Sequence, residues 1–274
     1  MTTDQYKKWY FDLLEKYEKA SFKILQKGFG TILNKSLKGA TENNYKDKVK
    51  KGITEKAVFD VILSLYTVVG TAQGKKILQG IENNTITLKA VNPLFGKLFA
   101  EAVLLYLQTY GGDKIKTMTQ TFIDAVIQFL GDKIASGEPL NRTIHDLEDN
   151  FGDKTGLYYW QLERISRTET ASASNYASWK ALESDRLIID KVWIATNDHR
   201  TRDGDSKNEY DHIEMDGVTL PKDVLFKVQN QNGDIDEIMY PVDPIGHPSN
   251  TINCRCTIAP KPRRDKNGKL ILKT

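Results

Sequence analysis

Apolar residues recur at three- and four-residue steps along the first half of the chain. In "DQYKKWYFDLLEKYEKASFKILQKGF" the series Trp9, Leu13, Tyr17 and Phe22 marks one face of a helix. Gly28 and Gly30 are expected to punctuate its end. A second helix is predicted from Thr54 to Ala72, with Thr54 as its N-cap. A third runs from Pro93 to Tyr110, closed by "GG", and a fourth from Lys114 to Ile134, followed by the loop "ASGEPL". The polar segment 33–52, "LNKSLKGATENNYKDKVKKG", is expected to be a mobile linker or arm. The most apolar window, 57–72, falls below the usual membrane-spanning length and carries Asp60, so it is expected to be a buried helix.

The texture changes at Asn141. "NRTIHDLEDNF" reads as a short capped helix, and "LYYWQLERISRTETASASNYASWKALES" (157–184) as a long one. The period then switches. "IIDKVWIAT" (188–196) alternates and is rich in β-branched residues, and "HIEMDGV", "VLFKVQ", "EIMYP" and "CRCTIAP" are further short strand candidates between Asp-, Asn- and Gly-rich turns. "MDGV" is most simply a tight hairpin turn. A helical half followed by a helix and short strands suggests an α+β protein. Its parts are a helical N-terminal region (1–140), a second domain (141–260) in which a long helix packs on a small antiparallel sheet, and a basic C-terminal tail (261–274).

Composition changes this picture little. The chain has 274 residues, 39% hydrophobic and 27% charged, and a net charge of +3, too small to argue for nucleic acid by itself. No basic-then-apolar signal segment opens the sequence, so synthesis in a reducing cytoplasm is expected. With two cysteines, a disulfide-stapled framework is excluded and the fold has to rest on its core.

Those cysteines, Cys254 and Cys256, are the first candidate for chemistry. On an extended chain an i, i+2 pair points to one face, with Arg255 opposite. A bridge between them is geometrically poor, and structural zinc usually takes wider spacings. A metal site needs partners from elsewhere, and His199, His212, His247 and nearby aspartates are available. The simplest alternative is a pair of small buried side chains.

A second cluster lies in "WIATNDHRTRDGDSKNEYDHIEMDG" (193–217), where Asp198, Arg200, Arg202, Asp211 and His212 crowd the end of a strand and the turn after it. A histidine among carboxylates suits a metal-dependent hydrolase or nuclease. Asp–Arg pairs in a turn equally serve to fix the loop. A third stretch, "RISRTETASASNYASWKA" (164–181), carries small residues that let another element approach closely, and Arg164, Arg167 and Glu169 that can pair locally. No Walker A, dinucleotide loop, H-E-x-x-H or G-x-S-x-G motif is present.

Taken in order, "ISRTET" with "ASNYA", "KVWIATNDHRTRDGDS", "HIEMDGV" and "YPVDPIGHPSNTINCRC" resemble the phage head morphogenesis or minor head protein family, also called Mu-F-like. The resemblance spans Asn141 to Pro260. It maps onto Trp193; Asp198, Arg200 and Arg202; His212; Asp216 and Gly217; Pro244 and Gly246; and Asn253, Cys254, Arg255 and Cys256. The stretch between Arg202 and His212 is longer and more acidic than in that family. The resemblance implies a non-enzymatic component of the virion head. It would be made in the host cytoplasm and act at the portal vertex in head assembly, DNA packaging or DNA delivery. Its implied partners are a portal protein, with scaffold, major capsid protein and non-specific double-stranded DNA as further candidates, and no membrane. No cofactor is expected. A zinc ion on His212, Cys254 and Cys256 and a hydrolase built on Asp198, His212 and the cysteines remain open as alternatives, as does DNA binding through "KPRRDKNGK" (261–269).

Overall fold

In the computed structural model, which describes residues 3–83, 95–184, 186–196, 201–202 and 212–273, glycine does not end the first helix. Helix α1 (Thr3–Leu37) runs through both Gly28 and Gly30. A Cβ on Gly28 would stand 2.6 Å from both γ-methyls of Val61, inside van der Waals contact. Gly28 is therefore the point at which α1 meets the next long helix, and close packing outweighs glycine's helix penalty of roughly 1 kcal/mol. The segment expected as a linker is also ordered. After a turn it forms α2 (Tyr45–Gly52), anchored by buried Tyr45 and Val49, a one-sided pattern hidden among lysines.

Helix α3 (Glu55–Asn83) begins as expected, with Thr54 Oγ1 accepting the N–H of Ala57 at 3.3 Å. It continues past the expected end at Ala72. Over Glu55–Gly80 it is long and apolar enough to cross a membrane by length and composition, beyond the shorter window read from sequence. Val58, Ile62, Leu65, Tyr66 and Val69 are nevertheless buried within the protein. Helices α4 (Phe95–Tyr110), α5 (Gly112–Ala135), α6 (Leu140–Asn150) and α7 (Tyr159–Ser184) follow the periodicity of the sequence.

The chain packs as two compact units. One comprises 19–65 and 105–166, and the other comprises 1–18, 66–104 and 167–274. The first unit is helical around an aromatic cluster. Phe122 lies 4.9 Å from the ring centres of both Phe29 and Tyr158 and 5.7 Å from that of Phe151. Such ring pairs contribute about 1 kcal/mol each beyond the area they bury.

The second unit is the α+β part. Strands β1 (Ile189–Ile194), β2 (Thr219–Pro221) and β5 (Thr257–Pro262) form an antiparallel sheet in the order β2-β1-β5, with Trp193 opposite Ile258. Strands β3 (Phe226–Gln229) and β4 (Ile235–Ile238) form a separate antiparallel pair. The buried, mostly small residues of α7, Ala171, Ala173, Ser174, Ala177 and Ala181, let the helix lie close to its neighbours. Asn175 ties α7 to the sheet. Its amide donates to the carbonyls of Cys256 and Pro241, both at 2.9 Å, and its oxygen accepts from Thr257 Oγ1 at 2.7 Å.

Three strand expectations shift. "EIMYP" (237–241) contributes only Glu237 and Ile238 to β4. "HIEMDGV" is a series of turns that delivers the chain to β2, because Gly217 adopts φ +82° and Asp216 Oδ1 accepts the N–H of Ala195 at 2.9 Å. In "CRCTIAP" the ladder starts at Thr257, so both cysteines precede the strand. Residues 263–273, expected as part of a basic tail, fold back instead. Ile271 accepts from the N–H of Ile188, and Asp265 and Gly268 make a turn.

Candidate functional site

The turn after β1 and the entry to β5 converge on His212. Its main-chain N–H donates to the carbonyl of Arg202 at 2.9 Å, and the Arg202 guanidinium reaches the carbonyl of Ile252 at 2.8 Å. That second bond links the turn to the helical turn α8 (Pro248–Thr251), which starts at Pro248 because proline suits the first helical position. Past α8 the chain reverses at Asn253, which takes φ +58° and donates its N–H to Thr168 Oγ1 at 3.1 Å. Asparagine tolerates this left-handed geometry better than most residues. The chain then runs through Cys254, Arg255 and Cys256 into β5.

This path brings both thiols onto one imidazole nitrogen. Cys254 Sγ is 3.5 Å and Cys256 Sγ 3.7 Å from His212 Nδ1. The three donor atoms lie within 4.8 Å of one another, and all three residues are buried. The opposite ring nitrogen, Nε2, is 3.0 Å from Asn250 Oδ1. Asn250 in turn donates from Nδ2 to the Gln229 carbonyl at 3.1 Å and to Asp236 Oδ2 at 2.8 Å. Trp193 closes one side, with its ring edge-on to His212 at 5.6 Å between centres.

Electrostatics separate the two cysteines. A hydrogen bond from Cys256, with His212 and Arg202 nearby, holds the Cys254 thiol well below the ordinary range against the cost of burial. Donating that bond, together with burial, pushes Cys256 up.

Of the other residues singled out from sequence, those described hold the fold together. Asp216 accepts from Ala195 N–H and from Lys7 Nζ at 2.5 Å. Gly217 donates its N–H to the Trp193 carbonyl at 2.9 Å. Arg255 points away from the thiols to Glu18, at 2.6 Å. Asp198 and Arg200 lie outside the described residues, as do His199 and Asp211. His247 is not brought to the thiols. It caps α8, accepting the N–H of Ser249 at 3.2 Å. Glu169 pairs with Tyr66 Oη at 2.8 Å.

Two contributors to the site, and one buried lysine on β1, had no sequence signal strong enough to single them out. Asn250 and Asp236 orient His212, and only the "HPSN" start of a helical turn points towards Asn250. Lys191 lies buried on β1, its Nζ 2.7 Å from the Met239 carbonyl and 4.8 Å from the centre of the Phe226 ring. A lysine in an alternating strand is ordinarily placed on the wet face.

Compared with known families, residues 124–259 match the one described as Phage Mu protein F like protein. Over this region, just under half of the chain, the protein matches the phage Mu F-like family. The Mu F-like region takes in α6, α7, all of β1 to β4, α8 and both cysteines. The match supports a phage head-related structural protein that is incorporated in the virion. Among curated proteins and among solved structures, none matches the chain.

Proposed function

We propose that this Mu F-like protein is a minor head protein that acts at the portal vertex, in head assembly, DNA packaging or DNA delivery, without turning over a substrate. The family match carries the reading. What the motif residues do supports it. Asp216, Arg202, Asn253 and Arg255 are engaged with the backbone or with partner side chains of the same unit. His212, Cys254 and Cys256 are only 1–2% exposed, which suits a built-in staple better than a site that a polymer backbone must enter.

A portal oligomer is the principal partner in this reading, with scaffold, major capsid protein and packaged duplex DNA as further contacts. DNA contact would run through phosphates and weaken steeply with salt. Part of the basic C-terminal segment is already committed within the fold: the Arg263 Nε–H is shared between both carboxylate oxygens of Asp190 at 2.9 Å, and Arg264 donates to the Gly268 carbonyl at 2.7 Å.

The test is co-expression with the portal protein of the same phage and purification of the portal oligomer. The chain is expected to copurify with the ring. A chain that stays monomeric, with no affinity for portal, capsid or DNA, contradicts the proposal.

A further inference from the structure

We infer that His212, Cys254 and Cys256 form a zinc site that staples the turn after β1 to the entry of β5. The inference is independent of any role at the portal.

Geometry is the first ground. Zinc–sulfur bonds of about 2.3 Å and zinc–nitrogen bonds of about 2.05 Å, at tetrahedral angles, place sulfur and nitrogen about 3.6 Å apart. The two sulfur–nitrogen separations here are 3.5 and 3.7 Å. The positions of the donors already match two edges of a zinc tetrahedron.

Hydrogen bonding alone accounts for this convergence poorly. Asn250 fixes the tautomer. Its Nδ2 faces two acceptors, the Gln229 carbonyl and the Asp236 carboxylate, so its Oδ1 must face His212. An amide oxygen only accepts, so the ring carries its hydrogen on Nε2 and leaves a single lone pair on Nδ1. Two thiols lie against that one lone pair, which has room for one good hydrogen bond, and the other thiol is left with a neighbouring sulfur, a weak acceptor, as its partner. A cation between the three atoms satisfies all of them at once. Metal-ligating histidines characteristically donate their other N–H to an oxygen held in this way.

Charge is the third ground. In the zinc-bound site both sulfurs are thiolates, any remaining thiol proton having gone to solvent, and the dication with two thiolates and a neutral imidazole sums to zero. A neutral cluster suits a location in which all three ligands are buried. Two thiolates and one imidazole select a borderline-soft ion such as zinc over magnesium or calcium, which take oxygen donors. Three protein ligands leave one tetrahedral position for an exogenous donor such as water.

The staple joins parts of the chain that are far apart in sequence. His212 and Cys254 are separated by 42 residues, so closing that loop through a metal removes much freedom from the unfolded chain.

The experiment uses the full, tag-free chain, with metal content measured after dialysis and zinc or cobalt(II) as the added probe. About one zinc per chain is expected, lost on strong chelation and restored by added zinc, with a lower Tm in the chelated form. Cobalt substitution is expected to give an intense near-ultraviolet thiolate-to-cobalt absorption. Cys254→Ser, Cys256→Ser and His212→Ala should each lose the zinc, and His145→Ala, an exposed histidine on α6, should keep it. Should the site variants not fold, thiol alkylation of the native protein decides. Bound zinc should slow labelling of both cysteines at least about tenfold relative to the chelated protein. A folded wild-type chain overturns the inference if it holds only trace zinc, shows no thiolate-to-cobalt band and has the same Tm with or without zinc.

Discussion

His212 and Asn250 hold each other in one orientation: the ring nitrogen Nε2 meets the amide oxygen at 3.0 Å, and the amide nitrogen is committed to Gln229 and Asp236. Nδ1 is thereby aimed at the two thiols. Asn250→Ala frees the ring and strands the acceptors. Zinc affinity, measured by competition with a chromogenic chelator, should fall about 10- to 100-fold. Unchanged affinity in a folded Asn250→Ala protein would show that the amide does not orient the ligand.

Asn175 is the corresponding fastener between α7 and β5. Four partners share its amide: the carbonyls of Pro241 and Cys256, the hydroxyl of Thr257 and the N–H of Ile258. Truncation leaves buried backbone groups unpaired, at about 1–3 kcal/mol for each one that water cannot reach. Asn175→Ala should therefore lower unfolding free energy by at least about 2 kcal/mol in urea titrations. A loss under about 0.5 kcal/mol would mean that the helix is held by packing alone.

Helices α3 to α6 were legible because their apolar residues fall on one face, strand β1 because its apolar residues alternate, and α7 as a long run without breakers, its centre (168–178) being buried all round. Gly28 misled because composition signals flexibility, whereas its use depends on Val61, 33 residues away in sequence and 2.6 Å from where a Cβ would stand. The arm at 33–52 misled because Tyr45 and Val49 are too sparse among lysines to dominate a window. Of the candidate site, His212, Cys254 and Cys256 could be named together as a possible metal set, with His199 and His247 as competing partners, but the geometry that joins them could not. It depends on the left-handed backbone at Asn253 and on Asn250 and Asp236, which look like ordinary turn residues in the sequence.

Gly28→Ala gains helix propensity of about 1 kcal/mol but forces a methyl against the stiff branched side chain of Val61. Overpacking costs typically 1–3 kcal/mol, so a net destabilisation of up to about 2 kcal/mol is expected. Val61→Ala in the same chain should recover part of it, giving a favourable coupling in a double-mutant cycle. Simple additivity of the two changes would remove the close approach as the reason for glycine.

Burial lowers the Lys191 amine from its ordinary 10.5 to about 8, partly offset by Asp223 and Asp243. Below pH 8 the folded and unfolded chains both carry the proton. Between 8 and 10.5 the unfolded chain still holds a proton that the folded one has released, so stability rises with pH across that window. Tyr10, pushed up to about 12, acts in the opposite sense only above pH 10. Urea unfolding at about pH 7 and about pH 9.5 should show this rise in the wild type and a smaller one in Lys191→Met. Equal slopes would place the amine in contact with water.

A structural role in the phage head at the portal vertex can be read from quantitative mass spectrometry of heads purified from the phage that encodes this chain, with and without its portal gene. The protein is expected in a few copies per head and should be lost when the portal is absent. Heads that lack the protein altogether, or that retain it undiminished without a portal, would contradict that role.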